Sequence, residues 1–510
     1  MVKILDCTLR DGGYYTNWDF KEDIVKSYLK SFDLLPIEYL EIGYRSPEKS
    51  EYLGEYFFCT KDTLNFVRSN TNKKLAIILN EKDVRVEHLD SLLDPCQGII
   101  ELVRIAIDPI NFLRALDLAK SIKLKGFKVA FNVMYLSKWN EYPEMITNFS
   151  KLDGVVDYFY LVDSFGGVFP DQVRSTVRLL KSKTKVQIGF HGHNNLEMAL
   201  ANTLVAIEEG VDIIDATITG MGRGAGNLKT ELILTILSKK IEVDFDALST
   251  ITSKFELLQN QYNWGTSLPY MVSGSNSLPQ KQVMDWVSKK SYSFNSIVRA
   301  LDNQKNNKED NDKYPVFQNT KKYKAVLIIG GGTMVNNHKK ALITFLNNNS
   351  NEICIIHSSS KNANLFSSVE NNQFFCLIGN EGIRLESVLS ESHKSITNCV
   401  LPPYPRKMGT YIPDFALNKT LELKEINFTK IKEESHTSIA LQLSLELGCE
   451  KIYLTGYDGY QGDQIAQKDQ ELFIQNSQLF EDFSKKAEII SITPTLHTNI
   501  ESSSVYQFIK

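Results

Sequence analysis

Three features of the sequence predict two α/β domains, the first a (β/α)₈ TIM barrel and the second a Rossmann-like open sheet. First, eight short apolar runs alternate with amphipathic stretches across residues 1–240. Second, the 510 residues exceed what one hydrophobic core usually holds, so two domains or more are expected. Third, a polar segment separates this alternation from a second series of strand, glycine turn and helix.

The eight apolar runs are continuous rather than alternating, which favours parallel strands that are buried on both faces. We predict strands at residues 2–5, 39–42, 75–79, 102–107, 128–133, 158–162, 185–190 and 213–217. Eight repeats over residues 1–240 match a (β/α)₈ barrel, whose usual size is ~250 residues. A doubly wound open sheet is the alternative arrangement of the same elements.

The rest of the chain divides by composition. Residues 241–301 are predicted to be a helical extension of the barrel. Residues 302–322 are rich in Asn, Lys and Asp, few of which could be buried, so we expect a linker there. The second domain, residues 323–510, begins with a strand and the glycine run 330–332. That run could hold a nucleotide or sugar-nucleotide phosphate at a helix N-terminus, but a tight turn without a ligand fits equally well.

Composition limits the environment and the partners. The chain is 42% hydrophobic and 23% charged with a net charge of −4, which gives no reason to expect a nucleic-acid partner. Seven cysteines are scattered without a Cys-x-x-Cys pair, the pattern of reduced thiols in a cytosolic protein. We see neither a signal peptide nor an apolar run of the ~20 residues that a membrane span needs. A cytoplasmic protein is therefore expected.

The barrel prediction places active-site residues just past the carboxyl ends of the strands. Polar and ionisable side chains are found at or near these positions: Thr8, Arg10, Asp11, Glu41, Asn80, Asp163, Ser164, His191, His193, Thr217 and Thr219, with Arg104 within the fourth strand and Asn132 late in the fifth. We expect the motif at residues 6–12, which contains Arg10 and Asp11, to form a loop. The glycine-rich run after the eighth strand is interpreted as a turn that presents Asn227 toward the same rim.

A histidine pair marks the end of the seventh strand. His191 and His193 are two residues apart, so in a strand they would project from the same face. Together with one carboxylate from Asp11 they would leave open coordination positions, as a catalytic metal requires. Mn²⁺ or Mg²⁺ is the first expectation, while Co²⁺ and Zn²⁺ stay open because residue types alone do not choose among them.

These motifs resemble those of the metal-dependent lyases and synthases that include 4-hydroxy-2-oxovalerate aldolase, HMG-CoA lyase and 2-isopropylmalate synthase. The resemblance is carried by residues 6–12, 161–167 and 191–195, and residues 201–231 strengthen it. It covers about the first 300 residues and is greatest for the 4-hydroxy-2-oxovalerate aldolases.

The resemblance implies roles for individual residues. The implied metal ligands are Asp11, His191, His193 and Asn227. Arg10 would hold the 2-oxo acid and stabilise its enolate, and Ser164 would contact the substrate. Glu41, at the second strand's end, and Tyr270, in the helical extension, correspond more loosely. Cys7 could act as a thiolate, although a place in the barrel core is the preferred interpretation.

One residue departs from the aldolase pattern. Tyr14 stands where the aldolases have a histidine that takes the substrate's hydroxyl proton. Tyrosine has a pKa near 10 and is a poor base at neutral pH unless a cation lowers that value. Either Tyr14 is activated, or another residue is the base, or the substrate differs.

The sequence therefore predicts a cytoplasmic, homodimeric metal-dependent aldolase that acts on a 2-oxo acid and an aldehyde through a metal-bound enolate. One alternative is a Claisen-type synthase that condenses an acyl-CoA with a 2-oxo acid. The other is a scaffolding barrel whose second domain acts on a nucleotide-sugar. The region from Ser435 to Gly459 resembles domains beside enzymes of cell-surface sugar synthesis, which connects the aldolase prediction with that biosynthesis too.

Overall fold

The computed structural model describes residues 2–289, 292–308, 312–319, 321–389, 397–406, 408, 410–431, 435–449, 451–460 and 467–509. The chain folds as two compact units, Met1–Asp285 and Trp286–Lys510. Part of the segment 302–322, namely residues 309–311 and 320, lies outside the described residues.

The first unit is a closed barrel of eight parallel strands, which confirms the predicted fold class and excludes the open sheet. Its strands are β1 Lys3–Asp6, β2 Tyr39–Tyr44, β3 Lys74–Asn80, β4 Leu102–Ile107, β5 Lys128–Val133, β6 Tyr158–Asp163, β7 Gln187–Gly192 and β8 Ile213–Ala216. The barrel closes where β8 pairs with β1, with Ala216 beside Asp6. The carboxyl ends of all eight strands therefore meet at one rim.

Helices surround this barrel and extend it. They span Thr8–Thr16, Glu22–Leu34, Glu55–Phe58, Lys61–Ser69, Leu89–Leu93, Phe112–Leu124, Pro143–Thr147, Pro170–Lys183, Ala199–Glu208, Thr230–Leu237, Phe245–Tyr262, Leu268–Ser275 and Gln280–Lys289. Short 3₁₀ turns lie at Val86–His88, Asp94–Cys96, Pro109–Asn111, Leu136–Glu141, Phe149–Leu152 and Ile218–Gly220. The boundary between the two units falls within the last helix.

The prediction of a loop at residues 6–12 is wrong, because the helix Thr8–Thr16 begins directly after β1. Glycine usually weakens a helix, and Gly12 and Gly13 both lie within this one. In the structure these glycines allow close packing instead: a Cβ on Gly12 would lie 2.6 Å from the sulfur of Met221, and one on Gly13 would lie 2.2 Å from the Trp18 ring. The helix places Arg10 and Asp11 in its first turn, at the rim of the barrel.

The barrel interior below the rim is a compact apolar core. Its buried side chains come from the strands and from the residue after β1: Leu5, Cys7, Tyr39, Ala76, Leu102, Ala130, Tyr158, Tyr160, Val162 and Ile213. The seven cysteines are all free and buried. The thiol of Cys7 donates to the carbonyl of Ala216 at 3.6 Å, and burial raises its pKa well above the usual range. Cys7 therefore packs in the core as a protonated thiol.

The second unit contains an eight-stranded parallel sheet in the order β13-β12-β11-β10-β9-β14-β15-β16. These strands are β9 Ala325–Ile329, β10 Ile353–His357, β11 Gln373–Cys376, β12 Asn398–Leu401, β13 Thr420–Glu422, β14 Lys451–Thr455, β15 Glu488–Ser491 and β16 Glu501–Ser502. The strand order reverses at β9, as in doubly wound sheets. The switch point lies between β9 and β14, the two strands that precede the glycine-containing turns.

Helices of the second unit span Phe294–Lys305, Met334–Asn337, Lys339–Asn348, Glu381–Val388, His436–Glu446 and Gln467–Ser484, with 3₁₀ turns at Ser360–Phe366, Asp414–Lys419 and Val505–Phe508. The segment 302–322 is not an exposed linker throughout. Its first residues continue the helix Phe294–Lys305, Val316 pairs with Glu422, and Phe317 is buried. Within the described residues, none of the helices combines the length and the apolar character needed to cross a bilayer.

Candidate metal centre

Three buried side chains meet at the rim of the barrel. Asp11, His191 and His193 each offer one ligand atom, and these atoms lie within 4.8 Å of one another. His191 Nε2 is 3.6 Å from Asp11 Oδ2, and the two imidazole rings are 4.9 Å apart at an interplanar angle of 75°. One carboxylate oxygen and two ring nitrogens are the donor set of many catalytic metal sites.

Each imidazole is oriented by a bond to its other nitrogen. His191 Nδ1 lies 2.8 Å from Asp215 Oδ2, and His193 Nδ1 donates to the backbone carbonyl of Asp163 at 2.9 Å. Such partners fix the tautomer and leave Nε2 as the ligand atom. Burial lowers the pKa of His193 to about 3, which keeps that ring in the neutral form that a metal binds.

The carboxylate of Asp11 is held on both oxygens. Arg10 donates to Oδ1 at 2.7 Å, and the side-chain amide of Asn227 donates to Oδ2 at 2.5 Å. Burial opposes ionisation of Asp11, but the Arg10 guanidinium, the two imidazoles and the Asn227 amide together outweigh it and hold the pKa of Asp11 well below its usual range. Asp11 is therefore an anion at neutral pH.

An orphaned acceptor completes the fit to a cation. The amide oxygen of Asn227 is buried and has no hydrogen-bond partner among the described residues. A buried acceptor without a donor is uncommon in proteins and calls for an unseen partner such as an ion or a water. Together with Asp11, His191 and His193, it gives a set of donors that suits a divalent metal.

A chain of buried charges links this centre to the barrel interior. Glu41 Oε2 accepts a hydrogen bond from Arg10 Nε at 2.7 Å and lies 3.1 Å from an amino group of Arg104. The other amino group of Arg104 donates to Asp215, the partner of His191. Arg104 is fully buried, with its guanidinium 4.3 Å from the ring of Tyr160. Glu41 thus holds two guanidinium groups in place.

The remaining sequence-predicted residues lie around the same rim. The hydroxyl of Ser164 accepts a hydrogen bond from the backbone N–H of Tyr135 at 3.0 Å. The Tyr14 hydroxyl is 3.5 Å from that of Tyr44. Tyr270 is buried in the helix Leu268–Ser275, where its carbonyl accepts a bond from Asn195. Tyr270 therefore contributes to the support of the rim through its backbone.

The glycine-rich run after β8 is a turn that places Asn227 beside Asp11. Gly226 has a φ of +81°, and a Cβ there would lie 2.2 Å from the carbonyl oxygen of Gly220. Asn227 also bridges to His193 in the backbone. The turn thereby brings the ligands of β7 and the amide of Asn227 together.

Sequence reasoning missed two charged residues of the rim. Asp215 interrupts the apolar strand β8, and this was the available signal, because a buried charge in a strand needs a partner. Arg223 lies inside the glycine run, which was interpreted only as a turn that presents Asn227. Its guanidinium donates to the Ser164 carbonyl at 3.1 Å and lies 5.8 Å from the centre of the Tyr14 ring.

In the second unit, the donors that follow the glycine run 330–332 are bound by an acidic residue of the same chain. A carboxylate oxygen of Asp458 accepts from the backbone N–H of Met334 at 2.9 Å and from the Thr333 hydroxyl at 3.2 Å. A Cβ on Gly332 would lie 2.5 Å from that carboxylate. Asp458 thus takes the donors that a phosphate would need at Met334, which favours the tight-turn interpretation of residues 330–332.

Comparison with known proteins finds relatives of the barrel. Residues 110–254 match the model of the HMGL-like family. An oxaloacetate decarboxylase of Mycobacterium tuberculosis is 29% identical over 293 residues, which are 55% of this chain and 84% of the relative. A 4-hydroxy-2-oxovalerate aldolase of Bacillus cereus is 29% identical over 266 residues, which are 48% of this chain and 72% of the relative.

A solved structure matches a larger share of the chain at higher identity. The N-terminal domain of a presumed aldolase from Bacteroides vulgatus is 52% identical, with a TM-score of 0.56 over 59% of this chain and all of that chain. The aldolases of this family depend on divalent metals, in agreement with the cluster of Asp11, His191 and His193. Through its barrel, the chain belongs to the HMGL-like family of lyases.

Proposed function

We propose that the barrel is a divalent-metal-dependent aldolase, which forms or cleaves the carbon–carbon bond between a 2-oxo acid and an aldehyde. The observation that carries this proposal is the meeting of Asp11, His191 and His193 within 4.8 Å, with the Arg10 guanidinium bonded to the same carboxylate. Mn²⁺ or Mg²⁺ suits the mixed nitrogen and oxygen donors, and Co²⁺ and Zn²⁺ are further candidates. The aldolase and decarboxylase relatives support the 2-oxo acid as the substrate class.

Arg10 is the residue proposed to stabilise the enolate. Its Nε and one amino group are used by Glu41 and Asp11, and its second amino group makes no hydrogen bond within the described residues. That group supplies fixed positive charge for the oxo acid, where an enolate oxygen develops negative charge. A divalent ion held by Asp11, His191 and His193 would supply a Lewis acid for the oxo-acid carbonyl.

The bond changes of the proposed reaction balance without a redox step. A proton leaves the carbon next to the oxo-acid carbonyl, and the resulting enolate carbon attacks the aldehyde carbon. The aldehyde oxygen then takes a proton, which replaces the one that was lost. We propose that Tyr14 and Ser164 contact the aldehyde side of this substrate, and that Asn227 assists at the metal.

Proton exchange in pyruvate tests the proposal directly. The full-length protein is incubated with pyruvate and Mn²⁺ in D₂O, and loss of the methyl proton signal is followed by NMR. We expect exchange with the wild type, and at least a 10²-fold slower exchange in Arg10→Ala, the cost of removing a group that stabilises the developing charge. Arg178→Ala, at an arginine exposed on the barrel's surface, is the matched control. Absence of exchange in the wild type would refute the proposal.

Metal analysis separates binding from turnover. We expect the purified protein to retain about one divalent ion per chain, and His191→Ala to retain far less. Removal of the metal with a chelator should stop exchange, and Mn²⁺ should restore it. Wild-type protein that binds no divalent metal at micromolar concentrations would contradict the assignment of the ligands.

A second candidate reaction is decarboxylation of oxaloacetate, which passes through the same pyruvate enolate. The specific observation that favours it is Tyr14, which provides no evident base for a substrate hydroxyl. Loss of CO₂ involves no such hydroxyl, so it needs no base at this position. A relative named as an oxaloacetate decarboxylase points the same way. Oxaloacetate consumption that depends on Mn²⁺ and on His191, with no aldol formed from pyruvate and aldehydes, would favour this reaction over the aldolase.

The finer predictions from the sequence stay proposals. A Claisen-type synthase would release thiol from an acyl-CoA, which a thiol reagent detects. A nucleotide or sugar-nucleotide partner of the second unit, and a role in cell-surface sugar synthesis, would be supported if such compounds raised the unfolding temperature of the full-length protein. A homodimer is testable by sedimentation, and a joint between domains at residues 302–322 by limited proteolysis.

A further inference from the structure

Arg223 carries a charge that no carboxylate of the described residues pairs with. The other guanidinium groups at this end of the barrel have partners: Arg10 pairs with Asp11 and Glu41, and Arg104 with Glu41 and Asp215. Arg223 forms no ion pair with any acidic side chain of the described residues. Among the described residues, its guanidinium donates to the Ser164 carbonyl at 3.1 Å and lies over the face of the Tyr14 ring.

One buried donor of this guanidinium has no hydrogen-bond partner among the described residues. The Nε of Arg223 is buried and makes no hydrogen bond within the described part of the chain. A buried charged group without a full set of partners is costly, and an unmet charged donor costs more than a neutral one. The side chain is therefore built to receive an acceptor that is not part of this chain.

Arg223 and Arg10 reach the rim from different parts of the chain. Arg10 precedes Asp11 in the helix after β1. Arg223 instead contacts Ser164, which follows Asp163, the residue whose carbonyl orients His193. Tyr14 lies three residues after Asp11 and so on the same helix face, and its ring faces Arg223. The rim thus presents a second cation, Arg223, in addition to Arg10.

The charges that touch the metal ligands balance without Arg223. The carboxylates of Asp11, Glu41 and Asp215 stand against the guanidiniums of Arg10 and Arg104, and a divalent ion together with an oxo-acid carboxylate would complete that set. A second anion is needed only to match Arg223. A guanidinium prefers carboxylate and phosphate oxygens, to which it can donate two parallel hydrogen bonds.

We propose that Arg223 binds an anionic group on the aldehyde substrate, so that the enzyme selects aldehydes bearing a carboxylate or a phosphate. This inference rests on the proposed aldolase function and names the class of its second substrate. Arg223 is then a specificity-determining residue that leaves the enolate chemistry to Arg10 and the metal ligands.

Matched pairs of aldehydes test the inference in the full-length protein with Mn²⁺ and pyruvate. Succinic semialdehyde is compared with its methyl ester, and glyceraldehyde 3-phosphate with glyceraldehyde. We expect the wild type to prefer the anionic member of at least one pair by about 10- to 100-fold in kcat/KM, the worth of a charged hydrogen bond. Arg223→Gln should abolish this preference mainly through KM, and Arg223→Lys should restore part of it.

The readouts separate this inference from the proposed function. Pyruvate proton exchange needs no aldehyde, so exchange in the wild type tests the proposed function independently of the aldehyde class. Lack of exchange in the wild type would overturn both proposals. If exchange occurs, the inference alone is overturned by either of two results: no preference for any anionic aldehyde in the wild type, or equal losses on charged and neutral aldehydes in Arg223→Gln. A merely structural role for Arg223 would produce the second result.

Discussion

Asp215 Oδ2 lies 2.8 Å from His191 Nδ1 and also accepts a hydrogen bond from Arg104, so one buried carboxylate joins the metal centre to the barrel interior. Burial opposes ionisation of Asp215, but the charges of and hydrogen bonds from Arg104 and His191 together outweigh it and hold the pKa of Asp215 below its usual value. The ionised carboxylate keeps a proton on Nδ1 of His191 and leaves Nε2 as a metal ligand.

Asp215→Asn should therefore weaken metal binding without removing a ligand. An asparagine can present its NH₂ group to His191 and so favour the wrong tautomer. We expect a 10- to 100-fold loss of Mn²⁺ affinity, typical of outer-shell changes, measured by calorimetry or by the EPR signal of free Mn²⁺. Asp117→Asn, at an exposed residue of the helix Phe112–Leu124, is the control. Unchanged affinity in Asp215→Asn would show that this carboxylate does not orient the ligand.

Glu41→Gln should cost stability as well as activity. Glu41 is fully buried between Arg10 and Arg104, and removal of its charge leaves two buried guanidiniums undercompensated. We expect the barrel's free energy of unfolding to fall by about 3 kcal/mol, as for breaking a buried ion pair. Urea unfolding followed by tryptophan fluorescence measures it, since Trp18, Trp139 and Trp264 lie in the first unit.

The control for this prediction is Glu208→Gln, at an exposed partner of Arg174. A surface pair of this kind is worth less than about 1 kcal/mol. If the two variants unfolded at the same urea concentration, the buried network would not contribute to stability as proposed. A loss of pyruvate exchange in Glu41→Gln with unchanged Mn²⁺ affinity would identify Glu41 as the residue that positions Arg10.

The barrel could be predicted from the sequence because each strand is a continuous apolar run, a pattern typical of parallel strands that are buried on both faces. The helix that follows β1 could not be predicted, because Gly12 and Gly13 favour a loop when the sequence is considered alone. In the structure Gly12 contacts Met221, which is distant in the sequence, and Gly13 contacts Trp18, where the chain folds back on the helix. Such a contact leaves no local pattern.

The candidate site shows the same division. His191 and His193 are found from their spacing, because a strand's periodicity places both on one face. The pairing of His191 with Asp215 depends on β7 and β8 being neighbours in the closed barrel. Arg223 was not recognised in the sequence, because glycines dominate the run that contains it. That it pairs with no carboxylate of the described residues can be seen only in the folded rim.

Tyr14→Phe distinguishes the two candidate reactions. The change removes only the hydroxyl, which lies 3.5 Å from that of Tyr44. If Tyr14 moves the substrate's hydroxyl proton, aldol cleavage should fall about 10²-fold, the usual contribution of a positioned acid or base. Pyruvate exchange and oxaloacetate decarboxylation involve no such hydroxyl and should change by less than about twofold.

Tyr44→Phe serves as the matched control for Tyr14→Phe, because burial raises the pKa of Tyr44 well above its usual value and makes it unsuitable as a base. All three rates should survive in that variant. Equal slowing of aldol cleavage and decarboxylation in Tyr14→Phe would instead assign Tyr14 to packing of the rim.

The second unit should lose stability in mild acid because of His357. This residue is 1% exposed at the end of β10, with Nε2 2.7 Å from Gln373 Oε1 and its ring stacked on Phe375. Burial lowers the pKa of His357 to about 4, whereas an unfolded histidine has a pKa near 6.5. Between these values the unfolded state binds more protons, so stability is complete above about pH 6.5 and declines as the pH falls toward 4. The decline attributable to His357 is about 3 kcal/mol.

Calorimetric unfolding of the full-length protein from pH 7.5 to 4.5 should show a flatter profile of stability against pH for His357→Gln than for the wild type. His338→Gln, at a more exposed histidine of the same unit, should leave the profile unchanged. Some slope should persist in His357→Gln, because burial also lowers the pKa of His497 to about 4. Parallel profiles for the wild type and His357→Gln would show that His357 does not stay neutral in the folded unit.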